Sequence, residues 1–281
     1  MNILFIFCEG PHDIQFIRRV LISSHEYEVY NDPITQYAPP LAGYFSHCIT
    51  TQNLDAYQIG EPQPIKMPST SLRSLDHNSL IIFYNMGGDS QVEYTLELLN
   101  ELFRFIAPDP TLSLYGTQAG ENNYSLLFFY DADAMGIAER RATFCRDYDT
   151  FFEGLTDFPT ENWQIKRGVP LGLFIFTGDD IEEGTLENTI IHLFTQCNPP
   201  LVEESKTLLV RYSNHIEGTV AQRARKAKSI LTICGQTEKD KAGYSLAVII
   251  KGCAFLNNAF SFDDDTKMWN RILLMVNSAF D

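Results

Sequence analysis

The sequence predicts an α/β fold: a central, mainly parallel sheet flanked by helices, with a proline-rich insertion and a helical C-terminal region. Three observations carry this. Apolar runs rich in branched and aromatic residues at positions 3–7, 80–84, 126–130 and 173–176 are continuous rather than alternating, as in strands covered on both faces. Each run closes on glycine, asparagine or acidic residues. Helical periodicity fills the intervals between them.

Taken in order, the first strand ends at Cys8-Glu9-Gly10 and leads into a helix over 13–22, with Ile14, Ile17 and Leu21 on one side. Positions 31–78 break the rhythm with Pro33, Pro39, Pro40, Pro62, Pro64 and Pro68. That stretch is too long for plain loop and is expected to hold a strand or two, packed over a sheet edge or the mouth of a site. The second strand precedes a helix over 92–105, with Tyr94, Leu98, Leu102 and Phe105 in phase, and the third precedes a helix over 137–152. After the fourth strand come an acidic turn, helices near 186–195 and 202–216, a basic helix over 219–234, an apolar run at 245–250 and an amphipathic helix over 266–276. The simplest account is an α/β domain over 1–200, with its insertion at about 31–78, and a mostly helical extension over 201–281 packed on it.

Composition narrows the function. Of 281 residues 44% are apolar and 20% charged, which excludes disorder and a coiled coil. Lysine plus arginine number 21 against 36 acidic residues, a net charge of −15, so no global basic field recruits nucleic acid or membrane, and any such binding is local or metal-mediated. Cys8, Cys48, Cys145, Cys197, Cys234 and Cys253 form no C-x-x-C pair or zinc pattern and read as reduced thiols of a cytoplasmic protein. The apolar start runs straight into Glu9 without a basic leader, so neither a signal peptide nor a spanning helix is expected there. No nucleophile elbow or cysteine–histidine signature is present, and the histidines lack metal-ligand spacing.

The carboxylates fall where strands end. In an open parallel sheet the residues just after each strand share one crevice. Here they are Glu9, Asp131 with Asp133, and Asp179 with Asp180. Alternation along an extended D-x-D would place Asp131 and Asp133 on one side, available to one hard cation. Clustered carboxylates repel at low dielectric, and Mg²⁺ or Mn²⁺ suits an oxygen-only set that relieves the repulsion.

Glu9-Gly10-Pro11-His12-Asp13-Ile14-Gln15-Phe16-Ile17 resembles the E-G-x-x-D-x-x-F-I element of Toprim domains, the metal-dependent fold shared by topoisomerases, bacterial primases, recombination-mediator proteins and the overcoming-lysogenisation-defect nucleases. Tyr130-Asp131-Ala132-Asp133 is similar to their D-x-D, Asn85-Met86-Gly87-Gly88-Asp89 to the glycine-bearing strand end between the two, and Gly184-Thr185-Leu186-Glu187-Asn188 to the G-x-L-E segment of a Toprim-like group related to those nucleases. The resemblance covers roughly the first two-thirds of the chain and rests on co-occurrence and order. It implies that Asp131 and Asp133 coordinate Mg²⁺ or Mn²⁺, that Glu9 is a ligand or the general acid/base, that Asp13 completes the ligand set, and that Glu187 serves a second metal position. The alternatives are a helix-start charge for Asp13 and a solvated helix residue for Glu187. His12 lies between Glu9 and Asp13, where it would touch substrate or simply begin the helix.

Phosphodiester substrates need local cations. Arg223, Arg225, Lys226 and Lys228 are densest, with Arg140 and Arg141 after the D-x-D and Lys251 further on. Lysine in the C-terminal part recurs in Toprim-like nucleases, which makes Lys228 and Lys251 candidates for transition-state charge stabilisation, and Arg140, Arg223 and Arg225 candidates for substrate binding. The alternative is a solvated basic helix face. No phosphate-binding G-x-x-x-x-G-K-[ST] loop is present, so an ATPase would have to be a separate partner. The expected activity is metal-dependent strand cleavage of nucleic acid, DNA before RNA. The rivals are a non-catalytic Toprim-like module that binds nucleic acid or protein, and a phosphotransfer protein of another acidic α/β type. The latter usually carries its key aspartate after the first strand, where this chain has Glu9.

Overall fold

The computed structural model describes residues 1–50, 66–88, 91–106, 122–178, 182–212 and 219–280. A seven-stranded sheet runs through it in the order β2-β3-β4-β1-β5-β7-β6. The strands are β1 Asn2–Cys8, β2 Tyr27–Val29, β3 Thr70–Ser74, β4 Ser79–Asn85, β5 Asn123–Asp131, β6 Trp163–Lys166 and β7 Val169–Phe176. β1 is parallel to both β4 and β5, and β5 to β7, so the expected parallel centre is present. β2, β3 and β6 complete the two edges in antiparallel register.

The continuous hydrophobicity of the central strands has the expected origin. Alternate residues of one strand enter different cores. Leu4, Ile6 and Cys8 of β1 join Phe129 and Phe174 on one face, while Ile3, Phe5 and Phe7 join Phe128 and Leu173 on the other. The first face is covered by α1 Pro11–Ser23, α5 Leu186–Cys197, α7 Val220–Gln236, α8 Leu246–Gly252 and α9 Met268–Asn277. The second is covered by α2 Leu41–Thr50, α3 Val92–Ile106 and α4 Gly136–Phe152. It is an aromatic core, with Phe7 and Phe128 stacked at 4.6 Å and Phe128 in edge contact with Phe144 at 5.3 Å.

The C-terminal helices are more than an appendage. Leu231, Ile249 and Ile272 are fully buried in the same cluster as Leu4 and Ile6, so the sheet's first face is completed by residues beyond 200. α6 Pro199–Tyr212 lies against α5 and α7 at the periphery. The apolar run at 245–250 forms most of the helix α8. The proline-rich excursion supplies α2 and the strand β3, which lies between β2 and β4, with positions 51–65 outside the described residues. Among the described residues, no helix is long and apolar enough to cross a membrane.

The topology creates one switch point. From β1 the chain passes to β4 on one side and then to β5 on the other, so the carboxyl end of β1 opens between two diverging connections.

Candidate functional site: a carboxylate cluster at the switch point

At the carboxyl end of β1 the chain turns through Glu9 and Gly10 into α1, with Pro11 in its first turn, where the missing N–H costs nothing. Gly10 N–H donates to Asp13 Oδ2 at 2.8 Å. Asp13 is therefore the helix-start carboxylate that the macrodipole favours. It is also 3% exposed and directed into the crevice cluster, so the two readings of this residue coexist. After β4, Gly87 and Gly88 adopt φ of +83° and +101°, which lets the Gly88 N–H reach the Glu9 carbonyl at 2.9 Å. The paired glycines thus brace the Glu9 turn. Asp89, Asp179 and Asp180 lie outside the described residues.

Backbone amides then fix the carboxylates one to the next. Asp131 N–H donates to Glu9 Oε2 at 2.9 Å, and Leu186 N–H, in the first turn of α5, donates to Asp131 Oδ1 at 2.8 Å. Each bond uses one carboxylate oxygen and sets the direction of the other. Glu187 follows on α5 and is fully buried. Glu9, Asp13, Asp131 and Glu187, drawn from three chain segments, are thereby gathered at one strand end.

Charge inside the cluster is only partly balanced. His12 Nε2 lies 2.9 Å from Glu187 Oε1 and 3.2 Å from Asp13 Oδ1, and Lys228 Nζ lies 3.3 Å from Glu187 Oε1. These are charge contacts, because Asp13 Oδ1 and both Glu187 oxygens are buried without a hydrogen bond of proper geometry. Burial, then repulsion from Asp13, Glu187 and Glu9, pushes the Asp131 carboxyl well above the usual range. Burial likewise pushes Asp13 up to about 6, with Glu187 adding to it and His12 opposing it. For Glu187 burial also works upward, but His12 and Lys228 override it and hold the group at about 2. The His12 ring is raised, its burial outweighed by Glu187 and Asp13.

Several expectations change. β5 ends at Asp131, and Asp133 has φ of +51°, so the D-x-D does not continue as an extended strand. Asp133 instead forms a bridge with Gly184 and accepts from Arg140 Nη2 at 2.6 Å. Arg140, expected to hold substrate phosphates, is 2% exposed, packs over the Tyr130 ring and sits 3.8 Å from Glu9 Oε1. It is an internal counter-charge. Lys251 lies on α8 and lines a cavity away from the cluster. Of the basic residues on α7, Lys228 enters the cluster, whereas Arg223 and Arg225 are exposed. His12, between helix-start and site readings at the sequence level, proves central, and its position between Glu9 and Asp13 was the available signal.

The donor chemistry suits a hard divalent cation: carboxylate oxygens only, buried, some without a hydrogen-bond partner. Among the described residues, however, no three His, Cys, Asp or Glu side chains are drawn together as a ligand set, and Lys228 and His12 hold Glu187.

Gly184 fixes the entry to α5. Its φ is +118°, and a Cβ there would stand 2.5 Å from the Gly178 nitrogen. Gly184→Ala is expected to cost about 2 kcal/mol from backbone strain and collision, measured as a lowered urea midpoint. Unchanged stability would mean that the loop relaxes without loss.

No protein-family model matches the chain, and no curated protein matches it in sequence. In architecture the chain is similar to a hypothetical protein from Pyrococcus horikoshii OT3, known from a crystal structure, with a TM-score of 0.51 and 13% identity over 100% of this chain and 96% of that one. At that identity the likeness establishes the α/β fold alone.

Proposed function

We propose that the cluster at the end of β1 and β5 performs Mg²⁺- or Mn²⁺-dependent phosphodiester chemistry on nucleic acid, as a Toprim-like strand-cleaving site, with DNA the first substrate class to examine. The observation that carries this reading is the convergence of Glu9, Asp13, Asp131 and Glu187 at a sheet switch point, with buried carboxylate oxygens of Asp13 and Glu187 lacking hydrogen bonds. An ion would have to draw Asp131, Asp13 and Glu187 together, since they do not form a ligand set as they stand, and Glu9 would be its fourth ligand or handle the proton. A bound divalent ion supplies positive charge to a phosphate and relieves the carboxylate repulsion. Glu9 is held by the Asp131 amide through Oε2, which aims the carboxylate for proton transfer at the attacked or departing oxygen. Lys228, at the rim of the cluster, is placed to meet charge developing on the phosphate. Arg223 and Arg225, exposed on the same helix, would meet flanking phosphates. Asp133 and Arg140 act as positioning residues.

Calorimetric titration of Mn²⁺ should show saturable binding that Asp131→Asn weakens at least tenfold. Glu9→Gln should lower metal-dependent cleavage about a hundredfold. If both variants behave as wild type, the reading is wrong. One observation favours a second reading, a non-catalytic module: Lys228 and His12 already neutralise Glu187. Salt-dependent nucleic-acid binding that persists in chelator and in Asp131→Asn would select it. A separate ATPase is the partner that the nuclease reading would require if the purified chain binds metal and DNA without cleaving.

A further inference from the structure

A cavity of about 480 Å³ opens between α1 and the end of α8, away from the carboxylate cluster. Arg18, Arg19, His25 and Lys251 line it, and among the described residues no carboxylate does. In a chain of net charge −15 such a wall needs a reason. Part of it is structural: Arg19 donates to the carbonyls of Ile250, Lys251 and Cys253 and to Asn257 Oδ1, closing the carboxyl end of α8. Arg18 and Lys251 have no such duty. Arg18 forms no ion pair among the described residues, and its Nε is buried without a hydrogen-bond partner. Burial and the adjacent Arg19 lower its pKa, the signature of a guanidinium lacking a counter-ion. Asn257 and Asn258 add amide groups at the rim, and Phe260 with Ile22 gives an apolar wall.

We propose that this cavity binds a phosphate-bearing small molecule of nucleotide size, its phosphate held by Arg18 and Lys251 and its apolar part against Phe260. Two cations without carboxylate partners among the described residues, beside a fixed arginine, match the planar, multidentate recognition of phosphate oxygens. The volume lies within the range of small-ligand sites and exceeds what inorganic phosphate needs. The site is independent of the metal reading, and it gives Lys251 a role at the other end of α1.

The test is calorimetric titration of inorganic phosphate, AMP and ATP, in EDTA at low ionic strength. AMP and ATP should bind saturably, and more tightly than phosphate. The Arg18→Gln/Lys251→Gln double variant should weaken both at least tenfold. Arg146→Gln, an exposed change on α4, and Asp131→Asn should bind as wild type does, which separates this site from the carboxylate cluster. No binding by AMP or ATP, or equal binding by the double variant, would overturn the proposal. So would binding of an oligothymidylate alone, since that would mark a nucleic-acid track instead.

Discussion

Arg140→Met is expected to destabilise the folded chain by about 3 kcal/mol, the loss typical when one partner of a buried ion pair is removed. The methionine keeps most of the volume, so little of the effect is a cavity. Arg140 is 2% exposed and answers both Glu9 and Asp133, while its guanidinium lies 5.7 Å from the Tyr130 ring centre. Without it Glu9 faces Asp131 with one counter-charge fewer. Asp133, with a side chain 41% exposed, can turn to water, and Glu9 at 15% cannot do so as readily. The urea midpoint should therefore recover in part in Arg140→Met/Glu9→Gln, a coupling that a double-mutant cycle reads directly. Additive losses would show that Arg140 acts by packing alone.

The second large effect is on pH dependence in chelator. The Asp13 carboxyl rises from its ordinary 3.8 to about 6 in the folded chain, mainly through burial. Between those values the native state binds more protons than the unfolded state, so stability falls as pH rises across that window. The shift corresponds to roughly 3 kcal/mol above pH 6, in favour of a neutral side chain. Asp13→Asn retains an oxygen to accept from Gly10 N–H and removes the charge. Its stability relative to wild type should be near zero difference at pH 4 and rise by about 3 kcal/mol by pH 7, measured from urea midpoints. Glu187 has the opposite sign: held at about 2, it contributes stability above 4.5 that is lost as pH falls toward 2. Wild type in chelator should accordingly be most stable in mildly acid solution. An Asp13→Asn profile parallel to wild type would exclude Asp13 as the source of the slope. Under the metal reading, Mn²⁺ should flatten the neutral limb of wild type and leave that of the variant unchanged.

Much of this was legible in the chain. The four apolar runs specify the parallel centre of the sheet because a strand covered on both faces has to be apolar at every position. Glu9 and Asp131 were placed correctly because strand ends in such a sheet converge whatever lies between them. The strands β2, β3 and β6 were less visible. They are short, of three to five residues; β2 and β6 are the sheet's edges and β3 lies one strand in from β2, at margins that do not demand continuous hydrophobicity.

What the sequence by itself determined is the parallel centre of the sheet and the arrival of Glu9 and Asp131 at its strand ends. Both follow from local pattern and the handedness and continuity of the chain. What only tertiary structure decided is which charge answers which. The turn at Asp133, with its positive φ and its bridge to Gly184, sets that aspartate against Arg140, which also faces Glu9. The packing of α5 and α7 brings Glu187 and Lys228 to His12 across more than 170 residues of sequence separation. Electrostatic partnership depends on distances of a few ångströms between segments far apart in the chain, and no periodicity or motif encodes those distances.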